Sequence, residues 1–390
     1  MNQLPLFPVT VVGSLPRPPS LIEAMGRARQ GQLAPAELET HVQAAVEAAI
    51  RLQEECGVDV VSDGEQARPD FYSFIAERVD GVKLLSLQDL AGHVEDRPFF
   101  ERFLADLEVP LSSVRLPVVV APLRRRDSLA VSELRRAQRL TDRPIKVALP
   151  GPYMLTRSAW VQALSSRPYQ DQEDLGRDVV ALLRQELEDL GEAGCAFVQF
   201  DEPMLADVAF AEPEARGNML RAVLSRQLDP DSELAFAVDL INRVVDGFED
   251  MRTGLHVCRG HCAPQDKIRL RGSYHRLLPY FCGMKIRQFV LEYASEHEDH
   301  LEALARLPAG REIGLGVLNP RTAEMEPVET VVSKTRKLAR TIGPERVFLN
   351  PDCGFEAFAN RPVNTTTGAA AKLRVLALAA ARLRRSFADS

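Results

Sequence analysis

Short runs of apolar, mostly β-branched residues recur along the chain, and most are followed by a turn and then by apolar residues at helical spacing. Apolar runs without regular polar alternation are typical of strands that are buried on both faces of a parallel sheet. We predict a strand at each of eight runs, which span 9–14, 58–65, 145–152, 195–203, 253–260, 288–295, 312–319 and 346–354.

The segments between these runs include long amphipathic helices. Residues 35–55 have apolar positions at helical spacing, and Gly57 ends the helix; 176–193, 326–342 and 366–388 have the same spacing. Strands that alternate with helices predict a parallel sheet, and eight such units predict an α/β fold of the closed (β/α)8 TIM barrel type. The alternative is an open doubly wound sheet, but no glycine-rich dinucleotide loop follows the first strand.

Two stretches are longer than a minimal barrel requires. Residues 80–144, after the second strand, are predicted to form a hairpin and a helix inserted at the top of the barrel. Residues 204–250, after the fourth strand, are predicted to form a wall or lid over the site. There is no internal repeat and no low-complexity linker, so residues 1–390 are interpreted as one barrel domain with these two insertions.

Composition and charge exclude several classes of partner. The net charge is −7 and no stretch is strongly basic, so neither nucleic acid nor an anionic membrane is expected to bind. The chain shows no membrane span and no signal peptide, which predicts a cytoplasmic protein. Its 6 cysteines are therefore expected to be core residues, metal ligands or nucleophiles rather than disulfides.

Polar side chains cluster where the predicted strands end. In a (β/α)8 barrel the carboxyl ends of all strands open on the same face, where the active site lies. Residues far apart in sequence are therefore predicted to converge in one cup. The strand-end residues are Ser14, Asp63, Glu65, Asp201, Glu202, His256, Cys258, Glu292, Asn319, Asp352 and Cys353.

The stretch TGLHVCRGH, residues 253–261, raises the possibility of a metal site. His256 and Cys258 alternate along a strand and so point to one face, although such a pair is also common in an ordinary buried strand. Cys353 ends the eighth strand, and two thiolates with an imidazole suit Zn2+. Glu292, at the end of the sixth strand, is available as a fourth ligand. Cys262 is a weaker candidate, because it is expected on a helix that leads away from the cup.

The motifs VVGSLPRP, SDGE, LPGP, QFDEP, HVCRG, LEYAS, GLGV and NPDCG occur in this order. Together they resemble the catalytic barrel of the cobalamin-independent methionine synthase family, and the chain is similar to the short core members with a single barrel. The resemblance implies zinc-dependent transfer of a methyl group to the thiol of homocysteine, giving methionine. It implies that the zinc ligands are His256, Cys258, Glu292 and Cys353. It also implies that Glu65 and Asp201 hold the amino group of homocysteine and that Ser14 receives its carboxylate.

The sequence departs from the family on the side of the methyl donor. The tryptophan that stacks on folate aligns with Ser158, and a histidine proposed as the proton donor aligns with Arg321. The expected donor is therefore a methylated corrinoid, free or carried by a protein, or 5-methyltetrahydrofolate. Asp352 is a candidate for assisting protonation of the donor. Arg321 is a candidate for binding an anionic group, with a salt bridge at the rim as the alternative.

Three other functions remain open. An epoxyalkane:coenzyme M transferase resembles the same core family; retention of Glu65 and Asp201 favours a thiol with an ammonium group, whereas Arg68 and Arg321 keep a sulfonate possible. A non-catalytic zinc-binding or corrinoid-binding barrel is disfavoured by the charged residues of the predicted cup. A barrel like uroporphyrinogen decarboxylase would have an arginine-lined cavity and would need no zinc.

Overall fold

The computed structural model describes residues 4–93, 115–210, 229–259, 270, 272–294 and 298–388. Within this part, six strands form one parallel sheet in sequence order, and two form a separate antiparallel pair. We number the strands along the chain: β1 Val79–Ser86, β2 Arg115–Arg125, β3 Lys146–Pro150, β4 Phe197–Asp201, β5 Arg252–Val257, β6 Gln288–Glu292, β7 Glu312–Leu318 and β8 Val347–Pro351. The parallel sheet, β3 to β8, corresponds to the last six predicted strands.

The first two predicted strands connect the two edges of this sheet through single bridges. Val9 pairs with β8, and parallel bridges then lead from Thr10 to Val60 and from Val61 to Ile145, just before β3. The Thr10 amide donates to the Leu349 carbonyl at 2.9 Å. These contacts supply the seventh and eighth positions of the ring, and the predicted (β/α)8 fold is confirmed.

Both connecting segments are shorter than the predicted strands at 9–14 and 58–65. Pro8 has no amide hydrogen, and the Val9 amide donates to Asp59 Oδ2 at 2.8 Å instead of to a neighbouring strand. Arg384 of the last helix also binds Asp59 Oδ2, at 2.6 Å. The side chain of Asp59 thus takes the place of a ladder hydrogen bond, which limits the pairing here to isolated bridges.

Helices cover the outside of the sheet. The predicted helix at 35–55 is observed as Pro35–Glu55, and the one predicted at 176–193 begins earlier because Asp171 accepts a hydrogen bond from the Asp174 amide at 2.8 Å. No helix in the described ranges combines the length and apolarity needed to cross a membrane. The α-helices are Pro19–Arg29, Pro35–Glu55, Leu87–Leu90, Val131–Gln138, Pro152–Ser158, Gln162–Ser165, Gln172–Glu192, Pro203–Phe210, Pro230–Val245, Leu278–Gly283, Val328–Ile342 and Thr366–Ala388; 3-10 helices are Ser73–Glu77, Tyr274–Arg276, Glu298–Arg306 and Pro344–Arg346.

The first insertion contains the expected hairpin and helix. β1 and β2 pair in antiparallel fashion, and the helix Val131–Gln138 follows. Apolar side chains of the hairpin belong to the same core cluster as the barrel strands. The second insertion contains the helices Pro203–Phe210 and Pro230–Val245, with residues 211–228 outside the described part. The single-domain organisation and the wall or lid over the site remain predictions.

The inner face of the sheet is more polar than the apolar runs of the sequence predict. Strand register places Lys146, Gln199, Gln288 and Asn350 on the face that also carries Asp201 and His256. These four side chains are between 0% and 1% exposed. The apolar runs that predicted the strands therefore contain buried polar positions, and a polar layer lies directly beneath the strand ends.

Candidate active site

Three predicted metal ligands lie together at the carboxyl end of the barrel. The ligand atoms of His256, Cys258 and Cys353 all lie within 4.8 Å of one another; His256 and Cys353 are buried, and Cys258 is partly exposed as a residue. β5 carries His256 and ends at Val257, so Cys258 is the first residue beyond the strand. Cys353 follows β8, which ends at Pro351. The parallel topology thus brings together two cysteines that are 95 positions apart in the sequence.

Hydrogen bonds within this cluster favour one thiolate. The pKa of Cys258 lies well below its usual value because the Cys353 thiol hydrogen-bonds to its sulfur, and the pKa of Cys353 rises well above its own. Burial acts to lower the pKa of His256, but the hydrogen bond and charge of Cys258 outweigh this and raise it to about 9. The cluster therefore stabilises one thiolate in a buried place, and a thiolate is the form of cysteine that binds a metal.

The histidine ring is held in the orientation that a metal ligand needs. His256 Nδ1 lies 3.2 Å from the Val290 carbonyl oxygen. A carbonyl only accepts, so Nδ1 carries a hydrogen, and Nε2 is the ring nitrogen that can bind a metal once its own proton is lost. Nε2 is buried and, because Nδ1 is held by the Val290 carbonyl, it is the ring nitrogen that faces Cys258. Two thiols and this nitrogen are the donor set that zinc prefers, and the residues present fit that ion.

Glu292 lies close to the cluster but outside the tight group of three. Its charge influences the pKa values of His256, Cys258 and Cys353. It is fully buried, and its Oε1 accepts a hydrogen bond from the Arg259 amide at 2.9 Å. The carboxylate is therefore placed for a fourth ligand, and this role remains a prediction.

The two carboxylates predicted to hold an amino group are buried beside this cluster. Burial raises the pKa of Glu65 to about 7, although Arg68 opposes the shift, and the Asp201 charge adds to it. Burial likewise raises the pKa of Asp201 to about 6, with His256 and Gln199 opposing. The two charges are near enough to interact, so an arriving cation would relieve both their burial and their mutual repulsion.

A tight turn places the Glu65 carboxylate where it can interact with Asp201. Glu65 has a positive φ of 55°, and its amide donates to Asp63 Oδ1 at 2.9 Å, which holds the turn. Its Oε1 lies against Gly13, where an added Cβ would lie 2.0 Å from that oxygen. A side chain at position 13 would displace this carboxylate, so the first predicted strand shapes the carboxylate site as well.

Ser14 lies against the loop that follows Cys353. Its side chain is 3% exposed, its carbonyl accepts from the Phe355 amide at 2.9 Å, and its Oγ accepts from the Glu356 amide at 3.3 Å. The structure thus joins the first predicted strand to the loop that carries a candidate ligand. The contact between Ser14 and a substrate carboxylate remains a prediction.

Comparison with known proteins decides the family. Residues 7–381 match the model described as "Cobalamin-independent synthase, Catalytic domain". The chain belongs to this family. It is a methyltransferase of the cobalamin-independent methionine synthase type, and the resemblance read from the motifs is confirmed.

Curated relatives and solved structures of this family cover nearly the whole chain. The methionine synthase of Thermococcus kodakarensis is 28% identical over 360 residues, 92% of this chain and 90% of that protein. The Saccharolobus solfataricus enzyme is 27% identical over 363 residues, covering 93% and 92%. Among solved structures, a B12-independent methionine synthase from Shewanella sp. W3-18-1, in complex with selenomethionine, has a TM-score of 0.73 at 23% identity, covering 99% and 100%. A putative one from Listeria monocytogenes has a TM-score of 0.71 at 19% identity, covering 99% of each chain.

The two predicted catalytic residues of this family member lie at neighbouring strand ends. Asp352 is fully buried, and its Oδ1 accepts from the amides of Tyr293 and Ala294, both at 3.0 Å. These bonds fix the chain directly after Glu292, which gives Asp352 a positioning contact that the sequence did not reveal. Arg321 lies in the turn after β7, where its amide donates to Asn319 Oδ1 at 3.0 Å. Their catalytic roles remain predictions.

Two further residues support the site: Glu202, which the sequence placed at a strand end without a role, and Gln199, which the sequence did not single out. Glu202 accepts from the amides of Tyr153 and Met154, at 2.8 and 2.9 Å, so it fixes the start of the helix Pro152–Ser158. Gln199 donates to Asp201 Oδ1 at 2.8 Å. The period-two pattern of β4 would have placed Gln199 on the same face as Asp201, and this signal was available in the sequence.

The remaining cysteines do not join the metal cluster as far as the described residues show. Cys56 hydrogen-bonds to the Ala370 carbonyl in the core, and Cys195 lies at the other end of β4. Cys282 is exposed. Cys262, the weaker candidate for a ligand, lies outside the described residues.

Proposed function

We propose that this protein is a zinc-dependent methionine synthase that methylates the thiol of homocysteine. The observation that supports this proposal most directly is the buried group of one imidazole and two thiols within 4.8 Å, with two buried carboxylates beside it. The first group suits a thiol-activating zinc ion and the second suits an ammonium group. Homocysteine carries both a thiol and an ammonium group, and the curated relatives are named methionine synthases.

Each residue has a distinct task in this proposal. His256, Cys258 and Cys353 hold the metal, with Glu292 as the fourth ligand. When bound, zinc lowers the pKa of the substrate thiol and so makes its sulfur a nucleophile. Glu65 and Asp201 bind the ammonium group, and Ser14 binds the substrate carboxylate, which fixes the amino acid at one end.

The methyl transfer itself is a displacement at carbon. The substrate sulfur forms a bond to the methyl carbon, the bond between that carbon and the donor breaks, and the thiol proton is released. A methyl group on a folate nitrogen leaves only when the nitrogen is protonated. We propose that Asp352 assists this protonation and that Arg321 binds an anionic part of the donor. A methylated corrinoid, free or on a partner protein, would need no such acid.

Contacts on the donor side do not favour folate over a corrinoid. Ser158 stands where the family has a tryptophan, and its buried Oγ has no hydrogen-bond partner among the described residues. Trp160, two residues later, is 7% exposed, and its indole nitrogen donates to Gln162 Oε1 at 3.0 Å. Its ring is therefore packed into the protein rather than presented to a ligand.

One of the two arginines that could bind the sulfonate of coenzyme M is already paired within the protein. Arg68 donates to Glu133 Oε2 from Nε at 2.9 Å and from Nη2 at 2.7 Å, and Nη1 donates to the Ala148 carbonyl at 2.8 Å. Each of its three nitrogens is thus engaged, and the side chain is 2% exposed. A sulfonate would have to displace a buried ion pair, which is costly.

A parallel turnover assay tests the proposed function. The zinc-loaded protein is incubated with homocysteine and either methyltetrahydrofolate or methylcobalamin, and separately with coenzyme M and epoxypropane. We expect methionine from at least one of the first two mixtures, and no alkylated coenzyme M, by mass spectrometry. Product from the coenzyme M mixture alone would contradict the proposal and establish the alternative.

Binding of the product is expected to depend on pH through Glu65. With a pKa of about 7, the ionised fraction of Glu65 falls as the pH is lowered, and only the ionised form attracts an ammonium group. Methionine should therefore bind roughly tenfold more weakly at about pH 6 than at about pH 8. Methionine has no thiol, so proton release from sulfur does not contribute, and calorimetry at both pH values measures the effect directly.

The matched control for this pH dependence is Glu65→Gln, which removes the titrating group. Its affinity for methionine should be low and much less dependent on pH. An equal pH dependence in this variant and in the native protein would show that another group is responsible.

A further inference from the structure

A buried lysine lies beneath the substrate carboxylates and has no task in the function proposed above. Lys146, at the start of β3, is 1% exposed and points into the barrel. Its Nζ donates to Gln199 Oε1 at 3.0 Å and lies 5.3 Å from the centre of the Phe197 ring. Burial lowers the pKa of Lys146 to about 7, while the charges of Asp201 and Glu65 oppose this change. Burying a lysine is unfavourable, so its position calls for a specific reason.

The lysine is one of three contacts that favour a single orientation of the Gln199 amide. Gln199 is fully buried, its Oε1 accepts from Lys146, and its Nε2 donates to the Val12 carbonyl at 3.0 Å and to Asp201 Oδ1 at 2.8 Å. If the amide were flipped, its oxygen would face a carbonyl and a carboxylate, and its NH2 group would face the lysine. All three contacts favour the observed orientation.

The orientation of Gln199 in turn determines how Asp201 is presented. With Oδ1 held by Gln199, the other oxygen of the Asp201 carboxylate accepts no hydrogen bond from the described residues and can receive a ligand. Gln199 also links this carboxylate to Val12, one residue before Gly13, against which Glu65 packs. The relay therefore joins both carboxylate-bearing elements of the amino-group site.

We propose that Lys146 is a positioning residue for substrate binding, which acts through Gln199 to hold Asp201 in the orientation that receives the ammonium group of the amino-acid substrate. This inference rests on the proposed function, because it assumes a substrate with an ammonium group. Lys146 itself does not touch the substrate. Its effect should appear as a loss of preference for ligands that carry the ammonium group, and not as a loss of the metal.

The test compares two ligands that differ only in the ammonium group, methionine and its des-amino analogue, by calorimetry on the zinc-loaded protein. In Lys146→Met, the affinity for methionine should fall roughly tenfold, the size expected when a hydrogen bond to a charged group is lost. The affinity for the analogue and the zinc content should not change. Lys372→Met is the matched control, because Lys372 is also a fully buried lysine but pairs with Glu326 outside the barrel; it should keep the native preference.

A double-mutant cycle separates a relay from general packing. If Lys146 acts through Gln199, the effect of Lys146→Met should disappear in a Gln199→Met background. Additive effects, or equal weakening of both ligands, would overturn the inference. If Lys146→Met does not fold, Lys146→Gln replaces it, since the shorter amide keeps a polar group in the barrel.

The outcome also distinguishes this inference from the proposed function. If the native protein binds methionine no better than its des-amino analogue, the amino-acid substrate is wrong, and the role of Lys146 falls with it. If the native protein prefers methionine and Lys146→Met keeps that preference, only the role of Lys146 is overturned.

Discussion

Replacing Cys353 with serine is expected to remove both the metal and the activity. A serine hydroxyl is a poor zinc ligand, so the substitution leaves only two of the three clustered ligands, His256 and Cys258. Zinc should fall from about one per chain to less than about one tenth after dialysis, and methionine formation should fall at least about a hundredfold. Elemental analysis by mass spectrometry and the turnover assay measure the two effects on the same sample.

Cys282→Ser is the control for this experiment, because Cys282 is exposed and hydrogen-bonds to the Arg306 carbonyl, away from the cluster. That variant should keep its zinc and its activity, and circular dichroism should show that both variants are folded. A Cys353→Ser protein that holds as much zinc as the control would mean that the metal binds elsewhere. That result would contradict the proposal that this cluster activates the substrate thiol.

Most of the sheet could be predicted because apolar residues dominate each strand, in spite of single buried polar positions. The six strands from β3 to β8 are therefore found close to their predicted positions. The segments at 9–14 and 58–65 show the same signal, but their pairing depends on competition for backbone hydrogen bonds. The Val9 amide donates to the side chain of Asp59 and not to a neighbouring strand, and the pattern of hydrophobic residues does not predict this contact.

The metal cluster could be predicted because two simple rules coincide. Period-two geometry places His256 and Cys258 on one side, and parallel topology brings Cys353 to the same end of the barrel. Lys146 could not be found in this way. Its importance depends on the register between β3 and β4, which places it beside Gln199 and which no local pattern in the sequence specifies.

Replacing the two buried carboxylates is expected to weaken binding of the amino acid without removing the metal. Glu65→Gln and Asp201→Asn each keep the shape of the side chain but lose its charge. Each should weaken methionine binding by roughly ten- to a hundredfold, because a hydrogen bond to a charged group contributes about 1.5–3 kcal/mol. The des-amino analogue of methionine should bind as before, and zinc should remain at about one per chain.

Thermal stability decides whether the carboxylates serve the ligand or the fold. Burial raises the pKa of Glu65, so above about pH 7 the folded protein carries a charge that is unfavourably buried until a cation binds. Glu65→Gln should therefore leave the melting temperature of the ligand-free protein unchanged or higher at that pH. Glu186→Gln is the contrast, since the buried Glu186 accepts from two backbone amides and pairs with Arg125; it should lower the melting temperature and leave methionine binding intact. If Glu65→Gln instead behaves like Glu186→Gln, the strand-end carboxylate is a structural element, and recognition of an ammonium group by Glu65 is excluded.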